Sequence, residues 1–184
     1  MDWMGLSPEE WTAVIDVHLN GSFYISRAAA PYLKSQRSGA YIHITSTSGL
    51  LGTIGQANYA AAKMGIVGLT WSSARALAKY GVTVNAISPG AATRMTSTVP
   101  TERLRGRPGP DEWSPDNVAP VVAYLASERS GWITGRIIHS SGYEVSLYSN
   151  PEPVARIIGT GPWQPDALAE QVERSFGPLL GRTP

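Results

Sequence analysis

The chain has 184 residues, 42% of them hydrophobic, with 15 Lys and Arg against 14 Asp and Glu. It is long enough to bury a core as one domain, and its charges nearly cancel, which gives no basis for holding nucleic acid or an anionic membrane. It has no cysteine, so disulfides, thiolate zinc sites and a cysteine nucleophile are excluded.

No apolar run approaches the ~20 residues that span a bilayer. The opening "MDWMGLSPEEW" lacks the basic-then-apolar order of a signal peptide. A cytoplasmic protein is expected.

In chain order, "LSPEEW" reads as a helix start: Ser7 caps, Pro8 suits the first helical position and Glu10 completes a capping box. The helix is expected to run toward Lys34 with Trp11, Ile15, Ser22 and Ile25 along its apolar stripe and His18 on the same line. "AYIHITS", Ala40 to Ser46, reads as a buried strand. Gly49, Gly52 and Gly55 then suggest a flexible connection. A long helix is expected over Asn58–Tyr80, stopped by Gly81. One of its faces is small (Ala61, Gly65, Gly68, Ser72, Ala76), which suits close approach by a partner helix, from this chain or a second copy. "VTVNAIS", Val82 to Ser88, reads as a second strand halted by Pro89-Gly90. Residues 91–114 read as a long loop of the kind that is usually functional or disordered. Ser114 and Pro115 open another helix, "GRIIHSSG" reads as a third strand, and the Pro/Gly-rich tail carries a helix candidate at Pro165 to Phe176. No internal repeat is present. Helices alternating with β-branched runs predict an α/β fold with a parallel sheet.

Three residues could do chemistry together. Tyr59 and Lys63 lie i,i+4 on one helix face. A tyrosine titrating near ~10 is a poor proton donor at neutrality, and a neighbouring ammonium corrects that by stabilising the phenolate. Ser46, at a strand end, could hold a substrate oxygen beside the Tyr59 hydroxyl and polarise a carbonyl. Each residue also has a plain structural explanation: a solvated helix pair for Tyr59 and Lys63, a cap or turn for Ser46, and a strand stop for Pro89-Gly90.

Together, Ser46 thirteen residues before Tyr59 and the Tyr-x-x-x-Lys of "GQANYAAAK" resemble the short-chain dehydrogenase/reductase family, in particular bacterial 3-oxoacyl-carrier-protein reductases. "VTVNAISPGAATRMT" and "SPDNVAPVVAYLAS…ITGRII" extend the likeness over roughly residues 7–145. The resemblance implies the C-terminal part of a Rossmann-type doubly wound parallel sheet over residues 1–147, with a C-terminal extension over 148–184. It implies an NAD- or NADP-dependent enzyme that interconverts a secondary alcohol and a ketone in a small-molecule substrate, with no metal. Tyr59 is then the acid–base, and Ser46 positions substrate. Lys63 tunes Tyr59 and, with Tyr59, contacts the nicotinamide ribose. Pro89, Gly90 and Thr93 lie against the nicotinamide. The family pairs the two long helices between subunits, so a homo-oligomer, dimer or tetramer, is expected.

Two departures shape the reading. His18, in "VIDVHLNG", stands where most members carry the asparagine of a catalytic tetrad. The histidine is similar to a hydroxyacyl-CoA dehydrogenase subgroup, so His18 reads either as a fourth site residue or as a satisfied core histidine. His43 and His139 read as structural. No Gly-rich dinucleotide fingerprint occurs in the chain, so a truncated member is expected, one that by itself neither binds NAD(P) tightly nor turns over substrate. The alternative is a catalytically inactive module acting in oligomer assembly. A serine hydrolase built on Ser46 is a poor third reading, since the chain has no G-x-S-x-G elbow.

Overall fold

The computed structural model describes residues 5–93 and 111–181, which form two compact units, Met1–Ser149 and Asn150–Pro184. Most of the predicted loop, residues 94–110, lies outside the described residues. In the first unit the chain opens with α1 (Pro8–Ile15), where the Ser7 hydroxyl accepts from Glu10 N and the Glu10 carboxylate accepts from Ser7 N, the capping box the sequence announces. The expected single helix is then interrupted. Asp16–Asn20 winds as a π segment before α2 (Gly21–Gln36). A π turn takes up an extra residue, so the inward face slips by one position. Ile25 consequently faces solvent at 73% exposure, and half-buried Ser26 takes the inward place.

The sheet comprises β1 (Gly39–Ile44), β2 (Val82–Gly90), β3 (Ile137–Ser141) and β4 (Glu144–Leu147) in that spatial order. The first three are parallel, and β4 returns antiparallel to β3 across a two-residue turn. Gly142 adopts φ 58° in that turn, the left-handed region such hairpins need. This fourth strand was not expected from the sequence.

Alternation along β2 assigns the two faces. Val82 and Val84 pack with Ala74 and Leu77, and Ala86 packs with Val67, all from α4 (Ala57–Leu77). Ile87 packs on the other face with Ile138 and with Leu125 of α5 (Ala119–Ala126). The β1–α4–β2 and β2–α5–β3 crossovers advance the sheet in the same direction with helices on opposite faces. They are therefore of opposite hand, and one is the rare hand. Buried Asn85 secures the second crossover by donating to Ile133 O (2.8 Å) and accepting from Arg136 N (3.0 Å).

Three further expectations are corrected. β1 ends at Ile44 rather than Ser46, because Ser46 caps α3 (Thr47–Leu51) with its hydroxyl accepting from Ser48 N. The glycine-rich stretch that follows is not a slack connection: a Cβ at Gly49 would stand 2.8 Å from both Lys63 Cβ and Met64 N, so this glycine lets α3 close onto α4. Pro89 and Gly90 do not stop β2; they pair with Ser140 and Ser141 of β3. Proline fits there because its missing N–H would point toward β1, whose pairing has already ended at Ile44–Ile87 and Thr45 N–Ile87 O. Of the small face on α4, Gly65 packs against Leu19, while Ala61, Gly68, Ser72 and Ala76 are exposed. The rest of α4 follows the expectation, running on through a short 3₁₀ turn to Gly81 at φ 71°.

Between the helices and β1 lies a polar knot. Buried His43 presents its ring nitrogens to Ser26 Oγ (3.0 Å) and Thr70 Oγ1 (2.8 Å). Those hydroxyls also lie within bonding distance of Ser22 O (2.7 Å) and Ile66 O (2.8 Å), and Tyr41 donates to Ser26 O (2.7 Å). In the second unit, α6 (Pro165–Phe176) sets half-buried Leu168, Val172 and Phe176 on one stripe. No described helix is long and apolar enough to cross a membrane.

Gly49→Ala is expected to destabilise the fold by about 1–3 kcal/mol through overpacking. Gly68→Ala, in open space on α4, should gain up to ~1 kcal/mol. Urea midpoints at constant m-value separate the two.

Candidate active site

β1 and α4 meet at the carboxyl end of the sheet, where open α/β folds keep their ligands. Thr45 N donates to Ile87 O (2.8 Å), which holds the chain beside β2 as it leaves β1. The Thr45 hydroxyl donates to Lys63 O (2.7 Å), and the Lys63 ammonium donates back to Ile44 O (2.9 Å). This reciprocal pair of bonds fastens the strand end to the helix. Lys63 is only 6% exposed, and burial pulls its ammonium below the usual lysine range. Its Nζ stands 5.5 Å from the Tyr59 ring centroid, one helical turn away, as the i,i+4 spacing requires.

Tyr59 is held from two further sides. Buried Asn58 accepts from Tyr59 N (2.8 Å) and donates to Glu10 O (3.2 Å), which ties the first turn of α4 to α1. His18 meets the Tyr59 ring edge-on, with centroids 5.1 Å apart and planes at 87°. The π segment carries His18 to this position, and Ser22 Oγ donates to its carbonyl (2.7 Å). Burial first, and the Lys63 charge second, lower the His18 pKa from its ordinary 6.5.

Ser46 lies two residues beyond the carbonyl that holds Lys63. Its backbone is extended (φ −158°, ψ 152°) and its Oγ accepts from Ser48 N at 3.2 Å. The single hydroxyl hydrogen of Ser46 is left to donate elsewhere. Among the described residues no hydrogen bond joins Ser46 to Tyr59. Pro89 and Gly90 end the neighbouring strand, and a Cβ on Gly90 would stand 2.5 Å from Ser141 Oγ. Thr93 follows on a segment tied down by Ala92 N donating to Trp113 O (2.7 Å).

The measured contacts thus join His18, Tyr59 and Lys63 to the end of β1, with Pro89-Gly90 on the adjacent strand end. Sequence reasoning missed Thr45 and Asn58, whose only signals were their places directly before Ser46 and Tyr59. A cavity of about 720 Å³ opens on the α5 face among Pro120, Tyr124, Trp132, Val145 and Leu147, and it contains none of these residues. Among the described residues no three His, Cys, Asp or Glu side chains cluster as a metal site.

An ammonium has three hydrogens to donate. Ile44 O takes one from Lys63, which leaves two for a pair of vicinal hydroxyls such as those of a ribose. On donor chemistry, Tyr59 and Lys63 fit the nicotinamide-ribose half of a dinucleotide.

Comparison with known proteins is consistent with this arrangement. Residues 1–143 match the sequence profile of the family described as enoyl-(acyl carrier protein) reductase. A hydroxyacyl-CoA dehydrogenase of Mycobacterium tuberculosis is 39% identical over 189 residues, covering 97% of this chain and 59% of that protein. A 3-oxoacyl-[acyl-carrier-protein] reductase of Staphylococcus aureus is 42% identical over 148 residues, covering 76% of this chain and 58% of its own length. The crystal structure of a short chain dehydrogenase from Mycobacterium avium superposes with a TM-score of 0.81 at 36% identity, covering 100% of this chain and 61% of that one. The chain therefore spans under two thirds of each of these relatives.

His18, His43 and Lys63 all have pKa values lowered by burial. For such groups the unfolded chain takes up a proton before the folded one, so stability rises with pH across the interval between the two values. For the histidines that contribution is complete above ~6.5 and is lost as pH falls through the lower folded values. His43→Gln, which keeps an amide for the two hydroxyls, should flatten the fall of the thermal midpoint below that pH. An unchanged slope would remove His43 from the acid response.

Proposed function

Because the chain belongs to the short-chain dehydrogenase/reductase family, we propose that it carries the catalytic half of an NAD- or NADP-dependent oxidoreductase. The reaction is the interconversion of a secondary alcohol and a ketone, with a 3-oxoacyl or 3-hydroxyacyl thioester as substrate. The observation that carries this reading is the buried Lys63 ammonium, fastened to Ile44 O and standing 5.5 Å from the Tyr59 ring. A fold gains little from burying a cation one turn from a tyrosine, whereas acid–base chemistry at that tyrosine needs the charge.

When bound, a reduced nicotinamide supplies the hydride. Ser46 donates its free hydroxyl hydrogen to the substrate oxygen, and Tyr59 passes its own proton to that oxygen as it becomes an alkoxide. Lys63 keeps a positive charge beside the phenol and turns its two spare hydrogens to ribose hydroxyls. His18 and Asn58 fix the ring from its edge and from its backbone. Pro89, Gly90 and Thr93 would border the nicotinamide. The comparisons support the thioester through the names of the two curated relatives, which act on acyl-CoA and acyl-carrier-protein substrates by title.

We also propose that copies of the chain associate through α1, α2 and α4. Trp11, Phe23, Tyr24 and Tyr32 are exposed on the first two, and Ala61, Gly68, Ser72 and Ala76 on the third.

Tyr59→Phe keeps the ring and its packing but removes the proton. In a version that also carries a Gly-rich dinucleotide-binding half, reduction of a 3-oxoacyl thioester by NADH or NADPH should fall by about 10²–10⁴-fold with cofactor affinity little changed, while Lys63→Ala should damage both. Equal turnover in wild type and Tyr59→Phe would remove the tyrosine from the chemistry. Sedimentation at micromolar concentration should give a dimer or tetramer, and a clean monomer overturns the association.

A further inference from the structure

The chain leaves β2 through Gly90, Ala91, Ala92 and Thr93, the segment proposed to border the nicotinamide. Contacts from elsewhere decide the path it takes. At Gly90 the place of a side chain is already filled: a Cβ there would stand 2.5 Å from Ser141 Oγ and 3.7 Å from His139 Cε1, both on β3. Ser141 Oγ is itself held, because Trp113 Nε1 donates to it at 3.3 Å. The main chain of the same tryptophan holds the segment two residues further on, where Ala92 N donates to Trp113 O at 2.7 Å. Half-buried Trp113 therefore grips residues 90–92 twice, directly at Ala92 and through Ser141 at Gly90.

The footing of Trp113 is fixed in turn. Ser114 N donates to Asp111 O (3.3 Å), and Asn117 Nδ2 donates to Asp111 O (3.0 Å) and Glu112 O (2.8 Å). Ser114 Oγ accepts from Asp116 N (3.2 Å) and so caps the 3₁₀ turn Pro115–Asn117. Glu112 lies against the turn between β3 and β4, where a Cβ on Gly142 would stand 3.2 Å from its Cγ. On this frame the indole contributes something no other large apolar side chain can. Its ring nitrogen is a donor, whereas a phenyl or aliphatic group would fill the same space and leave Ser141 Oγ free to turn.

We infer that Trp113 is a positioning residue: it sets the path of Gly90–Thr93 and hence the backbone against which a nicotinamide ring is placed. The inference rests on the proposed reading of the site and adds a residue that neither the Tyr-Lys spacing nor the Pro-Gly pair points to. Trp113 touches no reacting atom in this scheme. It acts through Ser141 and Ala92. A segment released from either hold samples more conformations, and a ligand that needs one of them then binds more weakly by the cost of ordering it again.

The test uses the full chain, isotope-labelled in nitrogen and followed by NMR. The probe is nicotinamide mononucleotide, the half of the cofactor that Tyr59, Lys63 and this segment would hold, with adenosine monophosphate as the control. The chain has 6 tryptophans, and the indole N–H peak lost in Trp113→Phe is that of Trp113. Millimolar nicotinamide mononucleotide should move that peak and the Thr93 amide along one saturation curve, and adenosine monophosphate should move neither. Trp113→Phe keeps the ring and its carbonyl, and Ser141→Ala removes only the acceptor. Each should weaken binding of the mononucleotide by about threefold to tenfold, the value of one hydrogen bond. The double variant should be no weaker than either single one, because the two side chains act as one unit. In the chain without nucleotide, both variants should speed hydrogen exchange at the Ala92 amide by a similar factor, with far-ultraviolet circular dichroism unchanged. A tryptophan that only filled space would give losses that add and would leave the Ala92 rate alone. Ser141→Ala, a change of one oxygen atom, carries both readouts if Trp113→Phe does not fold. Undiminished mononucleotide affinity in the variants, or losses that add, overturns the positioning role and leaves the nicotinamide reading standing. Faster Ala92 exchange in both variants, without wild-type binding that favours nicotinamide mononucleotide over adenosine monophosphate, does the reverse: Trp113 still sets the path of the segment, and the nicotinamide reading falls.

Discussion

Burying the Lys63 ammonium is the constraint from which the rest of the site follows. A cation removed from water must be hydrogen-bonded where it sits. The carbonyl that serves is that of Ile44, the last residue of β1. The helix can present Lys63 there only if α4 lies close over the strand end, and the Thr45 hydroxyl on Lys63 O holds it at that distance. α3 must then pass through the narrow space left beside Lys63 and Met64, which Gly49 alone permits. Once those contacts are made, little freedom remains. Tyr59 is one turn back along the helix and Ser46 is two residues on from the strand. The proposed chemistry inherits its geometry from a single solvation requirement.

The same dependence explains what could be read from the sequence. The capping box at Ser7, the long helix ending at Gly81, the β-branched runs of β1 and β2 and the α/β class are local or periodic signals, and each is present in the structure. Features set by tertiary contact were not legible. The π segment at Asp16–Asn20 has no propensity signature; it places Leu19 against Gly65 and His18 against Tyr59, and it displaces Ile25 from the face that simple periodicity gives it. Glycine and proline misled in the same way. Gly49 is a close-approach residue rather than slack, and Pro89 continues a strand because its neighbour has already ended. β4 was missed because its turn signal, Gly142-Tyr143, is weak and its strand short. Of the candidate site, Ser46, Tyr59 and Lys63 stood out by spacing, while Thr45 and Asn58 act through backbone contacts that no spacing reveals.

β2 is the hub of the first unit. It is buried along most of its length, and it packs α4 on one face and α5 on the other. Its polar members are not lapses. Asn85 fixes the entry to β3 from within the core, and the Ser88 carbonyl accepts from His139 Nδ1 at 2.7 Å, so the strand end that carries Pro89-Gly90 is secured to its neighbour by side chains as well as by the ladder. Two crossovers of opposite hand share this strand, so a shift in β2 would disturb both faces together.

The knot around His43 has a consequence in the counting of hydrogens. Ser26 and Thr70 have one hydroxyl hydrogen each, and each can rest on a backbone carbonyl in its own helix. With both hydrogens so placed, His43 must donate from both ring nitrogens, which only the doubly protonated ring can do. A neutral ring has to borrow one of those hydrogens, and its tautomer decides from where. With the hydrogen on Nδ1, the ring donates to Thr70 and draws the Ser26 hydrogen away from α2. With the hydrogen on Nε2, it donates to Ser26 and draws the Thr70 hydrogen away from α4. The position of one proton inside the core thus selects which of two helices keeps its extra bond, and the ladder from Ser26 through Ser22 ends on the carbonyl of His18.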